Sequence, residues 1–140
     1  MKAFLDSSVL VPTFFADHEH RRLSLDLFLR FPKRDVACSA HSLAEVYCSI
    51  TGMPGKDRVS GDEALLFLGD VRERLTVIAL NEEETSGAIE ASSNPITGGG
   101  IYDSLIGHCA LKAKAEILYT WNLKDFKRLK PEIAARVQTP

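Results

Sequence analysis

The chain has 140 residues, 45% of them hydrophobic and 26% charged, the balance of one globular domain long enough to bury a core. A net charge of −2 and a pI near 6.1 exclude a generally basic nucleic-acid coat and leave only local basic patches open. No apolar run approaches a membrane span, and Met1-Lys2 leads straight into a strand, so a cytoplasmic protein with no membrane contact is expected.

Lys2-Ala3-Phe4-Leu5 reads as a buried strand of a parallel sheet, closed at once by Asp6-Ser7-Ser8. Val9 to Ala16 suits a short helix that Pro12 forces to start near Val11 or to kink. A second helix is expected from Asp17-His18-Glu19-His20, through Leu23, Leu27 and Phe28, to Phe31 before Pro32. Asp35 to Ser39 is a second strand. His41 to Thr51 is a helix whose Leu43, Val46, Tyr47 and Ile50 form one stripe. Gly52 to Arg58 is a loop, Asp62 to Arg74 a helix, and Leu75 to Leu80 a third strand. Asn81 reads as the N-cap of a helix to about Ser92. The glycines Gly98 to Gly100 precede a helix from Ile101 or Tyr102 to Lys114 and read as a hinge for it. Ile117 to Tyr119 is a fourth strand, Asn122 to Leu129 a short helix, and Val137 the seed of a fifth strand. Strand and helix alternate throughout, which predicts a three-layer α/β/α sandwich around a mostly parallel sheet of four to five strands. Cys38, Cys48 and Cys109 lack disulfide or metal spacing and read as reduced, buried residues.

Asp6 falls where open α/β sheets place their ligand crevice, just past a strand's C-terminal end. It also suits a plain helix cap. Glu45 lies opposite the apolar stripe of its helix, and Asp103 in the first turn of another, each with small neighbours on its face. Each alone passes as surface charge. Two carboxylates about 4 Å apart repel by roughly 4 kcal/mol at an effective dielectric of 20, more than a cap returns, so a gathered cluster requires a cation. Oxygen donors without Cys or His at ligand spacing point to Mg²⁺, with Mn²⁺ as the second choice.

Taken in order, D-S-S after the first strand, A-E on a later helix, Y-D-S-L-I-G opening another and T-W-N-L-K-D-F after the fourth strand resemble the PIN-domain ribonucleases, and among them the VapC-type toxins of toxin–antitoxin pairs. The resemblance covers essentially all of residues 1–140, as a single PIN domain. It implies a Mg²⁺-dependent endoribonuclease, usually a homodimer, with an RNA substrate and a cognate VapB-like antitoxin. Metal-holding acids map onto Asp6, Glu45 and Asp103. The fourth family position, often Asp, is Asn122 here, and Asp125 is the other candidate to complete the catalytic set. Ser8 matches a small hydroxyl that orients the site, and Lys56, Arg58 and Lys124, with Lys127, Arg128 and Lys130 behind them, are candidate RNA contacts. Trp121 stands where relatives often carry Arg, and offers either a base-stacking surface or an ordinary buried aromatic. His18-Glu19-His20 lacks a third metal ligand, and His41 and His108 lack any motif. Two rivals remain: an inactive PIN-like binding module, which Asn122 leaves open, and a phospho-accepting receiver domain, which Asp6-Ser7-Ser8 fails for want of an adjacent acidic pair.

Overall fold

Three apolar residues, Ala3–Leu5, form β1, and all three are fully buried. A strand hidden on both faces is expected to lie at the centre of a parallel sheet. The computed structural model describes residues 1–140, Asp57 by its backbone alone. The sheet runs in the order β3-β2-β1-β4-β5, with β2 at Val36–Ser39, β3 at Thr76–Ile78, β4 at Ile117–Tyr119 and β5 at Val137–Gln138. Every pairing is parallel, more uniform than the mostly parallel sheet expected.

Alternation along the strands divides the core. Ala3, Leu5, Val36 and Cys38 face one layer, with α1 (Ser7–Phe14), α2 (Arg21–Arg30), α3 (Ala40–Thr51) and α4 (Gly61–Arg74). Phe4, Ala37 and Leu118 face the other, against α6 (Gly100–Lys112), α7 (Leu123–Lys127) and α8 (Pro131–Ala134), while α5 (Glu82–Ser92) packs on α6. The helix α8, opened by Pro131 at its first turn, is absent from the sequence expectation.

Two helix starts differ from those expected. α1 begins at Ser7, with Pro12 inside it, because the Asp6 carboxylate accepts the Ser8 N–H and the Asp6 carbonyl takes the N–H groups of Val9 and Leu10. α2 begins only at Arg21. Residues 17–20 spend their polar groups on a local turn in which the His20 N–H donates to His18 Nδ1 at 3.1 Å. Elsewhere the caps agree with the sequence: Asn81 and Glu84 form a reciprocal capping box at α5. Of Gly98, Gly99 and Gly100, the last of which opens α6, Gly98 alone needs a left-handed φ, 59°.

Cys38 and Cys109 are buried, and burial pushes their thiols up to about 12 and about 11 respectively. Cys48 is exposed, contrary to expectation. Tyr47 is also largely exposed, so the buried stripe of α3 is Ser42, Val46 and Ile50.

Gly107 sets how closely α6 and α8 approach. A Cβ there would lie 2.7 Å from Ile133 Cγ2 and 2.8 Å from its Cδ1. Gly107→Ala is expected to cost about 1–3 kcal/mol of overpacking, partly offset by about 1 kcal/mol of helix propensity. Thermal melts should show a fall of a few degrees; an unchanged melting temperature would mean that Ile133 repacks freely.

Candidate functional site

β2 and β3 continue to one side of β1, whereas β4 and β5 lie on the other. The sheet therefore reverses its winding between β1 and β4, and the crevice outside the C-terminal ends of these strands is where open α/β sheets bind ligands. Asp6 follows β1 and Thr120 follows β4, so the topology alone brings two residues 114 positions apart into contact.

Asp6 is 1% exposed. Its Oδ2 accepts from Ser8 Oγ at 2.7 Å, Thr120 Oγ1 at 2.9 Å and the Ser8 N–H at 3.3 Å. Ser8 Oγ in turn accepts the Trp121 N–H at 2.9 Å, and Thr120 Oγ1 accepts the Asn122 N–H at 3.0 Å. The hydroxyls thus tie the carboxylate to the turn after β4. Oδ1 receives Ser7 Oγ at 3.3 Å, and the same hydroxyl lies 3.3 Å from Glu45 Oε1. Ser7 therefore bridges two acids.

Glu45 enters from the second turn of α3, whose start is fixed by the Ser39 side chain accepting the Ser42 N–H at 2.8 Å. His41, one turn earlier, places Nε2 3.9 Å from Glu45 Oε1, and its ring stacks on Tyr102 with centroids 5.0 Å apart. Asp103 follows Tyr102 in the first turn of α6. Burial, then the charge of Asp6, raises the Glu45 carboxyl, with the Ser7 hydrogen bond opposing. Asp103 is pushed up to about 6 by burial first, then by Asp6, Glu45 and Asp125, with Arg128 pulling the other way. Three acids from three elements share one field.

Asn122 is exposed at the start of α7 and makes no side-chain cap bond. Asp125, one turn on, is exposed and lies 3.9 Å from Arg128. Lys124 is exposed on the same helix. Lys127 Nζ donates to the Ala134 carbonyl, and Lys130 lies 3.5 Å from Glu132. Lys56 and Arg58 stand beyond the far end of α3, which continues about 9 Å past Glu45 at 1.5 Å per residue; Arg58 Nε donates to the Met53 carbonyl. Among the described residues, neither forms an ion pair or hydrogen bond with Asp6, Glu45 or Asp103.

Sequence reasoning passes over Ser7, Thr120 and His41 as site components. A hydroxyl next to a strand-end aspartate is the only available signal for Ser7, and Thr120 has only its place at the end of β4. Trp121 is half-buried: its Nε1–H donates to Ser24 Oγ at 2.9 Å, and its indole stacks on His20 with centroids 3.8 Å apart and planes 12° apart.

The donor set suits a hard divalent cation. The acids supply oxygen only, and among the described residues no Lys or Arg forms an ion pair with Asp6, Glu45 or Asp103. The fit is one of charge and donor type: no three His, Cys, Asp or Glu side chains among the described residues lie close enough to ring one ion.

Comparison with known proteins gives the family and the fold. A family model for the PIN domain matches residues 3–130. Ribonuclease VapC40 of Mycobacterium tuberculosis is 30% identical over 132 residues, covering 91% of this chain and 94% of that protein. Among solved structures, M. tuberculosis VapC20, described as a sarcin–ricin loop cleaving toxin, superposes with a TM-score of 0.71 at 15% identity over 89% of this chain and 92% of that one. Rickettsia felis VapBC2, solved on a promoter DNA fragment, gives a TM-score of 0.69 at 21% identity, covering 100% of this chain and 99% of that one. The two structures share the fold.

Proposed function

The chain belongs to the PIN-domain family, and on that premise we propose that it is a divalent-metal-dependent endoribonuclease, the toxin half of a VapBC-like pair. The observation that carries the reading is the buried Asp6 at the switch point of the sheet, bridged to Glu45 through the Ser7 hydroxyl. Residues 1–140 act as one PIN domain. Asp6 and Asp103 would hold the ion, Mg²⁺ by preference over Mn²⁺, and Glu45 would assist directly or through water. When bound, the ion supplies a nucleophilic water at neutral pH and offsets charge on the phosphate. The residues of the chain orient and retain: Ser8 and Thr120 aim Asp6, and Ser7 spaces Asp6 from Glu45. Lys124, exposed on α7, would meet substrate phosphates near the turn after β4. Lys56 and Arg58 reach RNA only at a distance from the acids.

Purified protein should cleave RNA with Mg²⁺ or Mn²⁺ and stop on chelation. Cleavage that persists in excess chelator would overturn the metal requirement, and none with either ion would favour the inactive binding module.

Assembly follows from what the fold leaves outside. Leu27, Phe28, Ala64 and Val71 are buried, while Leu29, Leu65 and Leu66 are 52%, 61% and 74% exposed. That apolar surface favours a symmetric dimer, with the VapB-like antitoxin as the further partner. Sedimentation should give twice the 15.5 kDa chain mass; a monomer at micromolar concentration would count against it.

A further inference from the structure

Two aromatic stacks border the acids, and the mechanism above uses neither. Hydrogen bonds and contacts give a continuous order across the cleft. Tyr102 lies on His41, His41 beside Glu45, Glu45 on Ser7, Ser7 on Asp6, Asp6 on Ser8, and Ser8 on the turn that carries Trp121, whose indole His20 covers from the start of α2. One imidazole–aromatic pair therefore closes each end of the acidic row. Tyr102 is 51% exposed although it sits beside a site residue. At the other end, His18, His20 and Trp121 line a groove of about 550 Å³ that also takes in Ser8, Glu45 and Asn122. That volume suits a small organic ligand such as one nucleotide.

We infer that these stacks are base-binding platforms, and that the nucleotides on either side of the scissile phosphate lay their bases on Tyr102–His41 and on His20–Trp121. The inference rests on the nuclease reading above. A phosphate held at the acids would set its two flanking bases within reach of the two ends of this row, and stacking on an aromatic face is how unpaired bases are commonly held. The platforms are pre-set. Trp121 is pinned through Nε1 to the fully buried Ser24, and His18 Nδ1 accepts the His20 N–H, so little ordering remains to be done on binding. The polar groups around His18 and Asn122 offer hydrogen bonds to a base edge on the Trp121 side, whereas Tyr102 and His41 offer mainly a surface. Sequence preference should therefore be stronger on the Trp121 side.

Trp121 is the sole tryptophan, so its fluorescence reads one platform directly. Wild-type protein with Ca²⁺ replacing Mg²⁺ would be titrated with a five-nucleotide single-stranded RNA, with its abasic counterpart and with a duplex of the same sequence. Oligonucleotide integrity would be checked on a gel. The single strand should quench saturably, and the abasic strand and the duplex should not. Tyr102→Ala and His20→Ala should each weaken binding about tenfold, the typical worth of one base–aromatic stack, while Tyr102→Phe should bind as wild type. Equal binding of the abasic strand, or Tyr102→Ala binding as wild type, would overturn the platforms even if Mg²⁺-dependent cleavage is intact. Quenching without cleavage under Mg²⁺ or Mn²⁺ would instead fault the nuclease reading and leave the platforms standing. Quenching by an arginine-bearing peptide but by no RNA would assign the stacks to a protein partner and overturn the inference.

Discussion

Asp6→Asn protein is expected to fold as well as wild type and to cleave RNA about a hundred- to a thousandfold more slowly, a loss of about 3–4 kcal/mol in the transition state. The substitution keeps the shape of the residue and an amide oxygen that can still accept from Ser8 and Thr120. At Oδ1 an amide nitrogen would face Ser7, whose hydroxyl can rotate to accept. The hydrogen-bond network therefore survives, and what disappears is one buried negative charge between Glu45 and Asp103. Without metal, that loss relieves repulsion, and the variant should melt at the same temperature as wild type or slightly higher. With saturating Mg²⁺ the order should reverse, because a ligand at 100 times its Kd adds about 2.7 kcal/mol to the protein that binds it. Melts with and without Mg²⁺, beside cleavage rates, separate a metal-holding aspartate from a structural cap. A purely structural cap would leave the two proteins alike with and without Mg²⁺, since Asn caps a helix about as well as Asp. Equal cleavage by the two proteins would remove Asp6 from the chemistry.

Much of this site is legible in the amino-acid sequence because its acids sit at places that local patterns can mark. Asp6 ends an apolar run, Asp103 opens a helix, and Glu45 lies off the apolar stripe of its own helix. The remainder depends on contacts between distant segments. Thr120 reaches Asp6 across 114 positions, and Trp121 reaches Ser24 across 97. No period or spacing encodes such pairs; the order of strands in the sheet does. The misplaced helix starts have a different origin. At Pro12 a general rule against helix-interior proline yields to the cap made by Asp6, and at His20 a turn held by His18 Nδ1 keeps the acids before Arg21 outside the helix. The exposed Cys48 and Tyr47 show a third limit, since sequence marks a residue as apolar but not whether a neighbouring element covers it.

Asp103 should reveal the cluster through pH. Its carboxyl is raised to about 6 from an ordinary 3.8, so the metal-free folded protein holds this proton more tightly than the unfolded chain does. The associated stability is fully present below about pH 4. It is lost as pH rises through about 6. Asp103→Asn should flatten that decline and leave metal-free protein more stable at pH 7, on the order of 1 kcal/mol once solvent access to the half-buried group is discounted. Mg²⁺ binding should release protons below about pH 6, where Asp103 is protonated, and weaken as pH falls further. The same cluster decides the fourth member. Asp125 adds to the field that raises Asp103, whereas Asn122 is neutral and contributes a backbone N–H to Thr120. Cleavage should therefore fall about a hundredfold in Asp103→Asn, about tenfold in Asp125→Ala and less than about threefold in Asn122→Ala, at about 1.36 kcal/mol per factor of ten. Asp125→Ala should also lower the pH at which metal-free Asp103 titrates, which carbon-13 NMR of the carboxyl can follow. A larger loss in Asn122→Ala than in Asp125→Ala would give the fourth place to Asn122, and a melting temperature of metal-free protein that rises between about pH 4 and 7 would show that the carboxylates are not held together as described.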